Sequence, residues 1–396
     1  MPVMLRLAYF SPLPPARTGV ADYSRELLPY LAQRAEVTLF VAGAVDEALR
    51  QQFPAYSLAE YAFRRWDFDA ALFHMGNSRH HAPFYHIFRR FPGILALHDY
   101  VLHHFLADQT AGQGNFPAYA RELGYELGAA GIDLALDIQY HRQPHPLFTL
   151  PLNQRLLDLS LGVVGHSHYV AQRVGARTKR MVGVVPALIE PHPVHSRRAQ
   201  LNLPPETLLI GSFGQITAAR QLDVALHAFA QLRQTMPRAH YLIVGEAHPE
   251  VDLPALIAAL QLNDSVTHLG FVADLAEFVD WIGSVDVVVN LRCPTAGETS
   301  ATALRALAAG RPLIVSDAGW YAELPDEVVL KAPTPTHPDA LFFLLQTLVQ
   351  QPAQRQAMGQ AARAYAQTHH SGSAVAAAYV AFIESVLRQL GAASHA

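Results

Sequence analysis

The chain has 396 residues, more than one hydrophobic core usually supports, so we expect two domains of about 200 residues each. Its 51% hydrophobic residues, 16% charged residues and net charge of -4 are typical of a globular enzyme. They exclude a disordered or fibrous protein and give no bulk attraction to nucleic acid. Cys293 is the only cysteine, which excludes intramolecular disulfides. Because neither a secretory signal nor an apolar run of about 20 residues is evident, we expect a soluble, cytoplasmic protein.

Short β-branched apolar runs alternate with helical patterns along the whole chain, which indicates parallel sheets covered by helices on both faces. The strands predicted in the first half are Leu5–Phe10, Val37–Val41, Asp69–Phe73, Ile94–His98, Leu161–Gly165 and Met181–Val185. Those in the second half are Leu208–Ser212, His240–Val244, Val266–Leu269, Val285–Asn290, Leu313–Val315 and Val328–Leu330.

A proline-rich segment separates the two halves. Residues 186–206 carry five prolines, which neither a sheet interior nor a long helix accommodates, so this segment predicts the domain linker. We therefore expect an N-terminal domain over residues 1–190 and a C-terminal domain over residues 191–372. We also expect a final helix over residues 373–396, and one option for this helix is to pack back on the first domain.

The strongest functional pattern is PTAGETSATALRALAAGRP, residues 294–312. Ligands of doubly wound sheets bind beyond the carboxyl ends of the strands, and this segment follows a predicted strand directly. Thr299 or Ser300 can cap a helix that Gly310 ends. The free N–H groups and positive dipole end of such a helix favour phosphate. Glu298 is either a capping carboxylate or reaches past the phosphate to sugar hydroxyls, so the segment suits a phosphate bearing a sugar.

Three further loops follow predicted strands. In FGQITAARQLD, Arg220 stands at the loop-to-helix junction, where it either binds phosphate bidentately or is a solvated first-turn side chain. In SPLPPARTGVADY, Gly19 either lets backbone N–H groups approach an anion or belongs to an ordinary rigid turn. His98 ends the fourth strand, where an imidazole can handle a proton or donate a hydrogen bond.

Some classes of site are not indicated. The 21 histidines show no ligand spacing such as the zinc pair at i and i+4, so we predict no protein-held metal. The sequence has no GxGxxG after the first strand and no GxxxxGK[ST], which argues against simple dinucleotide oxidoreductases and P-loop enzymes.

These loops, in this order, resemble those of glycosyltransferase family 4, the retaining transferases of GT-B architecture. The segments that carry the resemblance span nearly the whole chain: SPLPPARTGVADYS, LHDYVLHH, FGQITAARQLDVALHAF and PTAGETSATALRALAAGRPLIVSD. The resemblance implies two doubly wound Rossmann-like domains facing each other across a cleft. It also implies a UDP- or GDP-sugar as donor in the second domain, an acceptor in the first, and no required cofactor or metal.

The resemblance assigns roles to individual residues. It implies catalytic roles for His98 near the reacting sugar, Glu298 on the donor-sugar hydroxyls and Arg220 on the diphosphate. It implies donor contacts, largely through the backbone, at five positions: Gly19, Gly214, Val272, Thr299 and Ser300.

Two departures from the family pattern concern the nucleotide. Gln215 follows Gly214, where the family usually has arginine. Ala306, beside Arg305, occupies the position of a second glutamate that holds the ribose in the family.

The expected reaction is sugar transfer with retention of anomeric configuration, by an ion-pair-like displacement on one face, to a glycan, lipid-linked or small-molecule acceptor. Two alternatives stay open: a nucleotide-sugar epimerase of the same architecture, and a non-catalytic protein that binds sugar nucleotides. Residues 79–93, RHHAPFYHIFRRFPG, allow peripheral contact with the inner face of a membrane. We favour a helix that packs its aromatic side chains inward and leaves Arg89 and Arg90 solvated.

Overall fold

A computed structural model of the chain describes residues 4–393. The chain forms two compact units. The first runs to Leu188 and also contains Ala296–Thr299 and the segment that begins at Gly372. The second comprises Ile189–Thr295 and Ser300–Ser371. Each unit therefore draws on more than one stretch of the chain, and the first includes four residues near the start of the segment over residues 294–312.

Each unit is built on one parallel sheet. The strands of the first unit are β1 (Leu5–Phe10), β2 (Ala35–Val41), β3 (Ala55–Ser57), β4 (Ala70–Met75), β5 (Ile94–Leu97), β6 (Gly162–Gly165) and β7 (Met181–Val184). Those of the second are β8 (Leu209–Phe213), β9 (His240–Val244), β10 (Val266–His268), β11 (Val287–Asn290), β12 (Leu313–Ser316) and β13 (Leu330–Ala332). The first sheet has the strand order β3-β2-β1-β4-β5-β6-β7, and the second has the order β10-β9-β8-β11-β12-β13.

Helices connect the strands in both units. Over residues 4–393 they are α1 (Gly19–Leu31), α2 (Glu47–Gln52), α3 (Tyr61–Arg64), α4 (Ala82–Arg90), α5 (His103–Gln109), α6 (Phe116–Leu127), α7 (Ala129–Gln139), α8 (Gln154–Leu159), α9 (His168–Gly175), α10 (Leu222–Thr235), α11 (Leu253–Ala259), α12 (Leu275–Ser284), α13 (Ala301–Ala308), α14 (Pro338–Gln350), α15 (Pro352–His369) and α16 (Gly372–Ala393).

The order of the strands fixes where each sheet can hold a ligand. In the first sheet β1 pairs with both β2 and β4, and in the second β8 pairs with both β9 and β11. The chain leaves these neighbouring strands in opposite directions, so a crevice forms beyond their carboxyl ends. The loops after β1, β4, β8 and β11 therefore border the two crevices.

An aromatic cluster fills the first sheet's core. Phe10 stacks on Phe40 and Phe73, with ring centroids 5.1 and 4.0 Å apart, and Phe88 of α4 meets Phe73 edge-on. Helix α4 buries Phe84, Tyr85 and Phe88, while Arg89 and Arg90 at its end are exposed. The structure thus has the inward-packing arrangement of residues 79–93.

Helix α16 packs on the last strands of the first sheet. A Cβ atom at Gly183 of β7 would lie 2.5 Å from the ring of Phe382, so glycine is what allows this close approach. Pro352–Gly391 contains a window with a mean hydropathy of 1.2, which by length and composition qualifies as a membrane span. The expectation that no such stretch exists is wrong by that criterion. In the structure, Tyr379, Ile383 and Val386 of this helix are buried.

Candidate active site

The second sheet places several predicted donor-binding residues in one row. Val272 follows β10, Gly214 and Arg220 follow β8, and Ser300 stands in the connection after β11. Since neighbouring strands lie about 4.8 Å apart, the three spacings from β10 to β11 span roughly 14 Å of the sheet's carboxyl edge. The three loops on the β10 side of this row are hydrogen-bonded together, because Gly214 N donates to Val244 O and Gly245 N donates to Gly270 O, both at 2.8 Å.

The turn after β8 depends on glycine. Gly214 has a φ of +95°, and a Cβ atom there would lie 3.0 Å from Nη2 of Arg220. Arg220 donates from Nη1 to the carbonyl of Phe213 at 3.0 Å, which holds its guanidinium over the turn. A short 3-10 turn ends at Arg220, and α10 begins two residues later. The predicted junction therefore puts a cation beside a glycine turn.

Asn290 is a site residue that the sequence analysis missed. It ends β11 and lines a small cavity of about 20 Å³ together with Gly214, Gln215 and Arg220. Its Oδ1 accepts a hydrogen bond from Tyr321 at 2.9 Å, while its buried Nδ2 has no partner in the structure. A polar residue at the end of the apolar strand VVVN was the signal that marks this position.

Helix α13 begins as the sequence predicts. Ser300 is the N-cap, and its hydroxyl accepts a hydrogen bond from Ala303 N at 3.2 Å. Thr299, the other capping candidate, has a buried hydroxyl without a hydrogen-bond partner. The first N–H groups of α13 and this hydroxyl can therefore bind an anion.

The helix interior offers no ribose ligand at the expected position. Ala306 is fully buried, and Arg305 beside it is 5% exposed. A methyl side chain inside the core cannot bind a ribose hydroxyl. The departure from the family pattern at this position therefore removes that contact.

The residues just before α13 pack in the first unit. Val101 N donates to the carbonyl of Ala296 at 2.9 Å, and Gly297, with a φ of +83°, lies against Tyr100. A Cβ atom at Gly297 would lie only 2.7 Å from that of Tyr100.

Glu298 accepts a hydrogen bond from Ala296 N at 2.9 Å. Burial lowers the pKa of His104, and the negative charge of Glu298 partly opposes that shift. The carboxylate is thus fixed next to an imidazole.

His98 belongs to a buried polar cluster in the first unit. Its Nε2 lies 2.9 Å from Nδ1 of His74, and its ring lies 4.6 Å from that of His166 and 5.0 Å from that of Tyr23. The Tyr23 hydroxyl in turn donates to that of Tyr379 at 3.1 Å. Strands β4, β5 and β6 are neighbours, which explains why residues far apart in sequence meet here.

The imidazoles of this cluster are neutral at pH 7. Burial is the main cause that lowers the pKa of His98 and of His74 well below the usual value, and the positive charge of nearby imidazoles adds to it. Burial also lowers the pKa of His166 and of His81 to about 4. His98 is therefore a neutral imidazole at pH 7.

The hydrogen bonds assign the tautomers. His81 and His166 each face a backbone carbonyl with Nδ1, so each carries its proton there and has a bare, buried Nε2. The Nε2 atom of His74 is also buried without a partner. An orphaned buried N–H group is less readily tolerated than an unused acceptor, so His74 donates from Nδ1. His98 then accepts at Nε2 and presents Nδ1–H, which makes it a hydrogen-bond donor.

Gly19 begins the helix that delivers Tyr23 to this cluster. The N-cap is Thr18, whose hydroxyl accepts from Val20 N at 3.1 Å. A Cβ atom at Gly19 would meet no protein atom within 4 Å, and the backbone there does not need glycine. Alanine would favour the helix by about 1 kcal/mol. Neither packing against the described residues nor backbone strain therefore requires glycine at this position.

A larger pocket adjoins the same loop. It measures about 500 Å³ and is bordered by the loops after β1 and β2 and by the start of α4. Ser11, Arg79 and His80 contribute polar groups, while Leu13 and Phe84 are among its apolar walls. No group of three or more potential metal ligands occurs in the described part of the chain.

Comparison with known proteins agrees with this geometry. Residues 205–350 match the family model described as Glycosyl transferases group 1. Apart from Ala296–Thr299, this match lies within the second unit, and it covers less than half of the chain. No curated protein matches the chain in sequence.

Solved structures resemble the chain over almost its whole length. HepE of Anabaena, solved with UDP, has a TM-score of 0.65 and 18% identity, with 98% of this chain and 100% of that one covered. Sucrose-phosphate synthase of Thermosynechococcus elongatus has a TM-score of 0.67 and 18% identity at the same coverage. A glycosyltransferase of Rickettsia africae has a TM-score of 0.67 and 13% identity over 97% and 99%. At these identities the likeness shows the fold, and it confirms the prediction of two parallel-sheet α/β domains of GT-B type.

Proposed function

We propose that this protein is a retaining glycosyltransferase that moves a sugar from a nucleoside-diphosphate sugar to an acceptor. The observation that carries the proposal is the row of Val272, Gly214 with Arg220, and Ser300 along one edge of the second sheet. It offers, in order, a loop for a base, a cation beside a glycine turn for a diphosphate, and a helix N-terminus. The match of residues 205–350 to group 1 glycosyl transferases supports it, and HepE was solved with UDP and with UDP-glucose.

The diphosphate is assigned to Arg220, the Gly214 turn and the start of α13. Gln215 leaves this turn with one positive charge fewer than the family pattern has, which makes Arg220 the main cationic contact. Asn290 can add a neutral donor, because its unpartnered amide lies in the same cavity as Gly214 and Arg220. The donor base is uracil or guanine, and no metal ion is required in this proposal.

His98 and Glu298 are assigned to the donor sugar. A neutral His98 with its proton on Nδ1 can donate to a sugar hydroxyl, and the Glu298 carboxylate can accept from others. Gly19 leaves room for a ligand to approach the backbone at the start of α1. Sugar hydroxyls both donate and accept hydrogen bonds, so the donor at His98 and the acceptor at Glu298 each match a hydroxyl group.

The proposed reaction is a displacement on one face of the sugar. The bond from the anomeric carbon to the β-phosphate oxygen breaks, and the acceptor oxygen forms its bond on the same face. The acceptor proton passes to the departing phosphate, so His98 need not act as a base. Arg220 and the N–H groups of α13 stabilise the charge that develops on the diphosphate.

The acceptor is assigned to the pocket of about 500 Å³ in the first unit. Arg79, His80 and Ser11 can bind hydroxyl or anionic groups, and the apolar walls can cover a sugar face or a lipid chain. A glycan, a lipid-linked sugar and a small molecule all fit this mixture of groups. Such a protein would act in the cytoplasm, where nucleotide sugars are available to it.

A donor screen followed by product analysis tests the proposal. UDP, GDP and their sugars are first compared by thermal shift, because a bound ligand raises the melting temperature. The preferred donor is then incubated with an acceptor panel, and products are identified by NMR. Transfer with the anomeric configuration retained is expected. A new sugar epimer formed from donor alone would instead indicate an epimerase, and tight binding without hydrolysis or transfer would indicate a non-catalytic binding protein.

A further inference from the structure

The second unit has another pocket at the edge of its sheet opposite the donor-binding loops. We call it the arginine pocket. It measures about 470 Å³, and its lining includes Arg311, Arg355 and Arg363 together with Asp286 and Pro312. Asp286 directly precedes β11, and Pro312 directly precedes β12. The arginine pocket therefore lies at the amino ends of these strands, whereas the donor-binding loops lie at their carboxyl ends.

Each guanidinium of the arginine pocket uses only part of its hydrogen-bonding capacity. Arg311 donates to the carbonyl of Val285 at 3.2 Å, and Arg363 donates to that of Ala309 at 3.1 Å. Arg355 donates to the carbonyl of Leu348 at 3.0 Å. A guanidinium has five N–H donors, so most remain for a ligand. The Nε atom of Arg311 is buried without a partner.

Positive charge in the arginine pocket is poorly balanced. Asp286 is the one carboxylate among its lining residues, and it already accepts from Arg198 at 3.0 Å and from Leu209 N at 2.8 Å. Helix α15, which supplies Arg355 and Arg363, contains no Asp or Glu. Burial is the first cause that lowers the pKa of Arg311, and repulsion by Arg363 and Arg198 lowers it further.

Capping alone does not account for this arrangement. One or two bonds from each arginine to carbonyls at or near a helix end, as Arg355 makes to Leu348 and Val349, are a familiar way to stabilise that end. It does not require three arginines to converge on one cavity, where their like charges repel. An anion with several oxygens relieves the repulsion and uses the remaining donors, since arginine binds phosphate bidentately.

We propose that the arginine pocket binds a phosphate-bearing anion at a site separate from the donor-binding loops. The recognised chemistry is a group with two or more phosphate oxygens free to accept hydrogen bonds. A soluble polyphosphate and the phosphomonoester headgroup of a membrane lipid both have it. The pocket is large enough for either.

Binding of inorganic pyrophosphate by calorimetry tests the proposal on the full-length protein. The double variant Arg355→Gln/Arg363→Gln should bind pyrophosphate in the arginine pocket at least about tenfold more weakly than wild type does. Arg238→Gln removes one charge at a position 80% exposed in the same unit, and it should bind as wild type does. Arg220→Gln weakens only the donor-binding loops, so binding to the arginine pocket should persist in it.

A second variant separates ligand binding from folding. Gln360→Glu places a carboxylate in the arginine pocket, where it should lower pyrophosphate affinity about tenfold while raising the melting temperature, because it relieves repulsion. Equal pyrophosphate binding by wild type, the double variant and Gln360→Glu rules out a soluble polyphosphate as the ligand, and it overturns the proposal if the vesicle assay below also shows no arginine-dependent binding.

Vesicles distinguish the two sources of the phosphate group. Co-sedimentation with phosphatidylcholine vesicles that contain phosphatidic acid, lost in the double variant and absent with phosphatidylcholine alone, identifies a lipid headgroup. Arginine-dependent binding of pyrophosphate without vesicle binding identifies a soluble ligand. Absence of arginine-dependent binding in both assays refutes the site.

Discussion

Acidification should weaken the first unit through its buried histidines. His81 and His166 have pKa values of about 4 in the folded protein, against about 6.5 for an ordinary histidine. Between these values the unfolded chain binds a proton that the folded chain does not. Stability is therefore full above about pH 6.5 and falls as the pH drops toward 4. At pH 5 each histidine should cost roughly 2 kcal/mol, so the pair should cost roughly 4 kcal/mol.

Hydrogen exchange measured by mass spectrometry can follow this loss in each unit separately. In peptides from β5 and β6, the free energy of the opening that exposes the backbone amides should be lower at pH 5 than at pH 7.5, after correction for the intrinsic exchange rate. His166→Asn keeps an N–H donor for the carbonyl of Val185 and should reduce the acid-dependent loss by roughly 2 kcal/mol. Peptides from β8 and β11, which carry no such histidines, are the internal reference. An unchanged free energy of opening in β5 at pH 5, or an unchanged loss in His166→Asn, would refute the reasoning.

Three further predictions concern the reaction. Gly297→Ala should lower kcat for sugar transfer at least about tenfold, because φ at this residue is +83° and the new methyl group would meet Tyr100. The Kd for the nucleoside diphosphate is measured on the same variant. His74→Leu should remove the preference of His98 for the Nδ1–H tautomer and lower kcat. His74→Asn keeps a hydrogen-bond donor, so it should keep both the tautomer preference and the wild-type kcat. The 15N chemical shifts of the His98 ring report the tautomer. The anomeric proton coupling of the product should show retention, and an inverted product would contradict the displacement on one face.

Most of the fold could be predicted from the sequence. The first five strands of the second sheet were predicted over most of their length, whereas the strand predicted over Val328–Leu330 shares only Leu330 with β13. In the first sheet β3 was missed, since Ala55–Ser57 is a three-residue edge strand without an apolar run. Such a strand is defined by its pairing with β2 rather than by its own composition.

The candidate site was predictable only where one segment carried the whole pattern. The turn at Gly214 and Arg220 and the capped start of α13 are local designs, and both appear as expected. Asn290 and His74 are single polar residues at strand ends, and their importance depends on which strands are neighbours. The contact of Gly297 with Tyr100 and the charge interaction of Glu298 with His104 join segments almost 200 residues apart, as their numbers show. Sequence periodicity carries no information on such a contact.

Sugar transfer by Glu298→Gln tests the central claim most directly. With the donor selected by the binding screen, this variant should lower kcat about a hundredfold, because it removes a charged partner of the sugar hydroxyls. Its affinity for the nucleoside diphosphate alone should stay within about twofold of wild type, since Glu298 is not assigned to the diphosphate. Glu250→Gln, at a side chain 77% exposed, should transfer sugar at the wild-type rate. Wild-type transfer by Glu298→Gln, or no transfer by the wild-type protein from any UDP- or GDP-sugar to any acceptor, would contradict the account.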